Sequence, residues 1–388
     1  MTREQPRRAE PDSAGLEHIR IIEARLTELE VELTRLRAQW NGTATEAYQV
    51  AQEQWREALR DLSALLSPRP AEDRPPRPRR RAADTLSPDS PLLTPLGLSG
   101  ARATHTEHMA MSREFWRAVE TIHDVVYVAP GVTRRFAELG LTGFWMGYIA
   151  SRAAALGTPP PELVIATFHG FAPDRIRRAL PDAWQLADRD AIVALRLQIG
   201  REELAAAWPE AGLSDIAGRL HAMLGGLDWA GRPLAAAHAA LPAPGDPPGR
   251  LWHAATVLRE YRGDCHIAIL TAAGLGGASA NVLAQAAGLV PAEQQRSRGW
   301  DDAAWEKGRE DLRQRGWLDA EGVITAAGRG AREQLESATD RVCAAGLDLE
   351  ATAHGVAVEN DLVALARRVT ERGGFPDVNA TGVPRPRP

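Results

Sequence analysis

Two apolar stripes at helical spacing dominate the first 66 residues. Ile19, Ile22, Leu26, Leu29, Leu33, Leu36 and Trp40 alternate steps of three and four, which places them on one face of a helix. Trp40-Asn41-Gly42 interrupts that helix, since Asn and Gly tolerate the positive φ of a reversal, and Thr43 can cap a second helix. The second stripe is Ala44, Tyr48, Ala51, Trp55, Leu59 and Leu62. The pattern predicts a helical hairpin over 14–66. Two helices bury too little apolar surface alone, so Ile22, Leu26, Leu29, Leu33, Leu36, Tyr48 and Trp55 form a face that calls for a partner hairpin, either a second copy or another protein of the same kind.

From Pro68 the pattern stops. Eight prolines between Pro68 and Pro95, with Arg77, Arg79, Arg80 and Arg81 among them, remove backbone donors and fix φ, so 67–108 is expected to be a disordered linker. Helical periodicity resumes at 109 and continues to 373 as segments broken by Gly and Pro, including 112–128, 188–199, 201–207, 248–261, 264–273, 277–287, 301–315, 326–344 and 357–372. The helix starting near Cys265 is expected to take Asp264 as its cap. One segment departs from this rule: Trp317 to Ile324 has two short apolar arms around a polar Gly turn, which suits a small β-hairpin. Helix, helix, hairpin and helix form the order of a winged helix-turn-helix, with 277–287 first, 301–315 as nominal recognition helix and 317–324 as wing. Residues 374–388 are expected to be a disordered tail. The fold class is mainly α: an amino-terminal two-helix hairpin, a linker, and a multi-helical module with winged helix-turn-helix character. A weak repeat runs through that module, Gly140-Leu141-Thr142-Gly143 being echoed by Gly274-Leu275-Gly276-Gly277.

The Trp40-x-Gly42 turn, with a heptad-like helix before it and an Ala-rich helix after it, resembles the small W-x-G proteins of type VII (ESX) secretion, which pair as four-helix bundles. The resemblance implies pairing. That family carries a Tyr-x-x-x-Asp/Glu export signal, and here Gln52 stands at that spacing from Tyr48. An ordinary dimerising coiled coil is the alternative. Further along, Gly143-Phe144-Trp145-Met146-Gly147-Tyr148, Arg178 to Trp184, Leu251-Trp252-His253-Ala254-Ala255-Thr256 and Arg259-Glu260-Tyr261-Arg262-Gly263-Asp264 resemble an actinobacterial, SalK-like family with a MarR-like winged helix. This second resemblance covers about 112–345 and implies a fold without an assigned biochemical role.

Composition narrows the function classes. The formal charge of −5 argues against a strongly cationic nucleic-acid binder. Lys307 is the only lysine among 46 basic residues, and with the abundant Ala, Gly and Pro this reads as a GC-rich coding sequence, so the arginines are discounted. Cys265 and Cys343 are the only cysteines, too few for a disulfide framework and without the C-x-x-C of a zinc site, which fits a reducing compartment. Met1 to Asp12 lacks the apolar core of a signal peptide, and the stretch from Ile267 to Val290 carries Asn281, Gln285 and several glycines, so it reads as buried helix rather than membrane span. A cytoplasmic location is expected, with type VII export the alternative.

Candidate chemistry is sparse. In the nominal recognition segment Asp301, Asp302, Glu306, Glu310 and Asp311 oppose Lys307, Arg309, Arg313 and Arg315, and the wing adds Asp319 and Glu321. Acids facing phosphate disfavour DNA binding, so Arg313 and Arg315 are only candidate contacts. His123, Tyr127, Trp145, His169, His253, Arg259, Arg262 and His266 are candidates for a ligand pocket. No metal-ligand spacing, nucleophile elbow or phosphate-binding loop is present, and Cys265 beside His266 points elsewhere on a helix, so no catalytic residue, metal or cofactor is assigned. The leading expectation is a non-enzymatic protein with a pairing hairpin and a helical module taking a small ligand. The alternatives are a dimeric winged-helix transcriptional regulator and an enzyme using the His-rich pocket.

Overall fold

The computed structural model describes residues 110–386, apart from 373, 374, 376 and 377, and gives Glu210 and Ala211 as backbone only. The W-x-G turn at Trp40 and Gly42, its pairing face and the linker lie outside the described residues.

The described residues are mainly helical. In chain order the helices are α1 (Arg113–Val128), α2 (Val132–Glu138), α3 (Phe144–Ala153), α4 (Pro161–Thr167), α5 (Pro173–Arg177), α6 (Asp182–Leu186), α7 (Arg189–Ala207) and α8 (Glu210–Ala222). They continue with α9 (Pro233–Ala239), α10 (Pro247–Ala272), α11 (Gly277–Ala286), α12 (Gln294–Arg298), α13 (Asp302–Gln314), α14 (Ala326–Ala345) and α15 (Leu349–Glu371). Their starts follow capping chemistry. Ser112, Asp188, Asp246, Asp301, Thr325 and Asp348 each accept a backbone N–H from the first turn of the helix they precede.

The larger of two cores gathers around α10. Phe115, Ile122, Ile192, Ile199, Leu258 and Tyr261 are fully enclosed there, each such side chain contributing roughly 1.5–3 kcal/mol by leaving water. The smaller core joins Leu270, Leu275, Leu283, Trp305, Leu312, Leu318, Ile324 and Leu335, so it belongs to the far end of α10 and to the segment after it.

Two pairs of expected helices prove to be single rods. The segments 248–261 and 264–273 merge into α10, and 188–199 and 201–207 merge into α7. Gly263 interrupts nothing, because a helical glycine costs only about 1 kcal/mol and Tyr261 and Cys265 on either side are buried. Gly200 has a packing reason to be glycine: a Cβ there would stand 2.4 Å from the Trp252 ring. Asp264 is correspondingly not the cap of its own helix. Its Oδ2 accepts N–H groups from Leu234 and Ala235, both at 3.0 Å, and so caps α9 from across the core. The expected helix 357–372 starts earlier, at Leu349, behind the Asp348 cap.

The arms of the expected hairpin pair through one antiparallel bridge, Leu318 to Ile324, flanked by Asp319 N–H to Val323 O at 3.0 Å and Thr325 N–H to Trp317 O at 3.0 Å. Gly322 closes the turn with φ of 84°. Residues 378–386 fall within the expected tail. They run along the module, with Arg385 paired to Asp124 at 3.0 Å and both side chains buried, and with Ala380 O accepting from Gln294 and Arg298. No single described helix is long and apolar enough to cross a membrane, and the stretch from Ile267 to Val290 is divided between α10 and α11, which bend by 103°.

Candidate functional site

Four helices and the carboxy-terminal segment enclose a cleft of about 290 Å³. On α1, Arg113, Arg117 and Glu120 stand three and four residues apart and share one face. On α10 the same spacing aligns Arg259, Arg262 and His266, and on α14 it aligns Arg332 and Glu336. Leu283 and Ala284 of α11, with Leu289 beyond it, supply an apolar wall, and Thr381 to Pro384 complete the lining.

An ionic ladder holds these helices together. Arg113 donates to Asp340 at 2.8 Å and pairs with Glu333 at 2.7 Å, while Arg262 reaches Glu336 and Asp340, both at 2.9 Å. Arg259 donates to Glu120 at 3.0 Å and to Glu260 at 2.8 Å. Glu260, which is fully buried, also receives a two-pronged pair from Arg152 at 2.7 and 2.8 Å. Burial acts to raise the Glu260 pKa, but Arg152 and Arg259 outweigh it and hold the carboxyl well below its ordinary range. Burial likewise acts to raise Glu336, and the charges of His266, Arg262 and Arg332 bring it down to about 2. Asp124 moves the other way: burial, with Glu120 nearby, lifts it to about 6 against the pull of Arg385. Burial lowers His266, whose Nδ1 lies 2.9 Å from Thr339 Oγ1.

Of the eight residues proposed for a ligand pocket, Arg259, Arg262 and His266 line the cleft. The other five do not line it, although His123 and Tyr127 meet edge to face with ring centroids 5.4 Å apart. His123 is fully buried, with Nδ1 3.1 Å from Thr256 Oγ1 and its ring stacked on Trp252, and burial with Arg259 nearby sends its pKa well below 6.5. Tyr127 accepts from Arg196 at 2.6 Å. Trp145 packs against Phe144, Tyr148 and Phe171. His169 Nε2 lies 3.0 Å from Leu275 O, and His253 Nε2 lies 2.9 Å from His238 O. Five charged lining residues are not among the sequence candidates: Arg113, Arg117, Glu120, Arg332 and Glu336. The signal the sequence carries for them is their spacing of three and four on helix faces. Among the described residues no group of three His, Cys, Asp or Glu side chains is placed to hold a metal ion. Cys265 faces Arg232 Nε at 3.3 Å, so it and His266 have separate surroundings.

Next to the cleft stands the pair α11 and α13. They cross so closely that a Cβ on Gly308 would lie 3.0 Å from Ser279 N, and Trp305 and Leu312 of α13 enter the smaller core. The loop at His169 and Gly170 fixes their seat. Asn281 and Trp300 both donate to Gly170 O, at 3.0 and 3.2 Å, and a Cβ on Gly277 would collide with His169 O at 2.1 Å. On the outer side of α13, Arg313 pairs with Glu306 at 2.7 Å and Arg315 with Asp311 at 2.8 Å. Arg315 also donates to Ala273 O and Gly274 O at the end of α10, which makes it a helix stop. Lys307 is exposed and stands outside these pairs.

Two helices crossing at a glycine, followed by a bridged turn and a long closing helix, define a helix-turn-helix module. The chain belongs to a helix-turn-helix family, whose model matches residues 112–376. No curated protein and no solved structure matches it.

Proposed function

We propose that this chain is a winged helix-turn-helix transcriptional regulator that pairs through its amino-terminal hairpin and offers α13 to DNA. Membership of the helix-turn-helix family carries the reading. It is supported by the close crossing of α11 and α13, by their own hydrophobic core and by the bridged turn at 318–324 beside them. Pairing would set two such modules on adjacent half-sites. The test is a gel shift of the full chain, at about 50 mM salt, on DNA flanking its own coding sequence. A shift is expected, with Lys307→Glu abolishing it and Leu29→Asp with Leu33→Asp weakening it by loss of pairing. A folded protein that shifts no DNA overturns the reading.

A second reading draws support from the charges of α13. Arg313 and Arg315 are engaged by carboxylates of their own helix, and exposed Asp319 and Glu321 flank the turn. On this reading the chain is a non-enzymatic two-module protein of type VII secretion type. Its hairpin pairs with itself or with another W-x-G protein, its MarR-like module takes a small ligand, and DNA is not bound. The same gel shift decides between them.

A further inference from the structure

We propose that Cys265 and Cys343 are oxidised by a hydroperoxide to a reversible disulfide, which staples the helix-turn-helix unit at its base. The proposal is independent of the DNA reading and of the ligand reading.

Facing rungs between α10 and α14 carry it. Tyr261 OH donates to Cys343 O at 3.4 Å, Arg262 pairs with Glu336 and Asp340, and His266 Nδ1 lies 2.9 Å from Thr339 Oγ1. The two helices therefore run antiparallel here, with Cys265 between Arg262 and His266 on one of them and Cys343 a turn beyond Thr339 on the other. The two thiols share a hydrogen bond. That bond, opposed by burial and joined by Arg232, whose Nε stands 3.3 Å from Cys265 Sγ, brings Cys265 down to about 7. The same bond, with burial, pushes Cys343 up, so Cys343 keeps its proton and donates it. A thiolate beside a protonated thiol is the arrangement of an attacking and a resolving cysteine. Arg232 also pairs with Asp228 at 3.2 Å, and Asp228 is exposed, so one guanidinium separates the buried sulfur from solvent.

The Cys265 thiolate attacks one oxygen of the hydroperoxide: an S–O bond forms, the O–O bond breaks, and the leaving alkoxide, or hydroxide from hydrogen peroxide, takes a proton from water. Cys343 then attacks the sulfenic sulfur. The S–S bond forms, the S–O bond breaks, and the hydroxyl departs as water with the Cys343 proton. The two electrons given up by the sulfurs reduce the O–O bond. Both cysteines belong to the larger core, whereas every buried residue of the smaller core, from Leu270 to Leu335, falls inside the ring that the disulfide closes. That ring holds α11, α12, α13, the bridged turn and nearly all of α14. A cross-link around so long a loop restricts the unfolded chain strongly.

The experiment treats the reduced full chain with hydrogen peroxide, alkylates it in denaturant and reads its intact mass and peptide map. Two alkyl groups before oxidation, none after it, a peptide linking 265 to 343 and reversal by dithiothreitol are expected. Cys343→Ser should stop at a sulfenic acid on Cys265 that dimedone traps, and Cys265→Ser should leave Cys343 alkylatable. The oxidised chain should melt at least about 5 °C above the reduced chain, a gain absent from Cys343→Ser treated in the same way. Thiols that stay alkylatable, bonds formed only between chains, or a dimedone adduct on Cys343 in place of Cys265 would each overturn the proposal. A disulfide that leaves the melting temperature unchanged would overturn it too, because the bond would then staple nothing.

Discussion

Replacing Asp264 by Asn should make the protein more stable at alkaline pH, although the side chain accepts two backbone hydrogen bonds. Burial, opposed by the N–H groups of Ala235 and Leu234 and reinforced by Glu260, raises the Asp264 pKa from 3.8 to about 7. The folded chain thus holds this proton more tightly than the unfolded one. Stability from the group is complete below 3.8 and is lost as pH climbs through about 7. The whole shift corresponds to roughly 4 kcal/mol, of which about 2.5 kcal/mol is lost between pH 5 and pH 8. An Asn side chain keeps an oxygen for the N–H groups of Leu234 and Ala235 and carries no charge to desolvate. Urea unfolding followed by far-ultraviolet circular dichroism, at pH 5 and pH 8 and constant ionic strength, measures the difference. Asp264→Asn should exceed the parent at pH 8, and its advantage should shrink by about 2.5 kcal/mol at pH 5. A variant less stable than the parent at pH 8, or a gap that does not change with pH, would refute the reasoning.

Two further outcomes follow from packing. Glu260→Gln leaves Arg152 buried without its carboxylate partner, while Arg259 keeps Glu120, and should cost about 3–5 kcal/mol in urea unfolding; a loss under about 1 kcal/mol would show that the ladder is not stabilising. Gly328→Ala brings a methyl group to 2.3 Å from Trp317 O, where only the backbone of the bridged turn can yield, and should cost about 1–3 kcal/mol; an unchanged melting temperature would show that the turn yields freely.

The helices were largely legible because their stops are local chemistry: caps such as Ser112 and Asp301, and left-handed glycines such as Gly274 and Gly316. The order of helices and turn from 277 to 344 was legible for the same reason. Gly263 was misleading, since burial of Tyr261 and Cys265 against other helices outweighs its cost and no local signal reports that burial. Asp264 was misleading too, because a cap donated to a different helix, 30 positions away, has no sequence signature. The cleft was hardest to see. Its wall joins Arg113 to a partner 227 positions away, and arginines that mean little singly acquire meaning only when three helices set them face to face.

At 26 residues α10 is about 39 Å long. Leu251 and Tyr261 anchor it in one core, Leu270 anchors it in the other, and Arg259, Arg262 and His266 lie along the span that bridges them. Because Gly263 remains helical, the rod has no hinge at that point. It therefore ties the two cores together as one straight member. For a rod of this length a tilt of about 5° at mid-length would shift the far end by roughly 2 Å, and Arg315, which grips the carbonyls of Ala273 and Gly274, is fastened to that end.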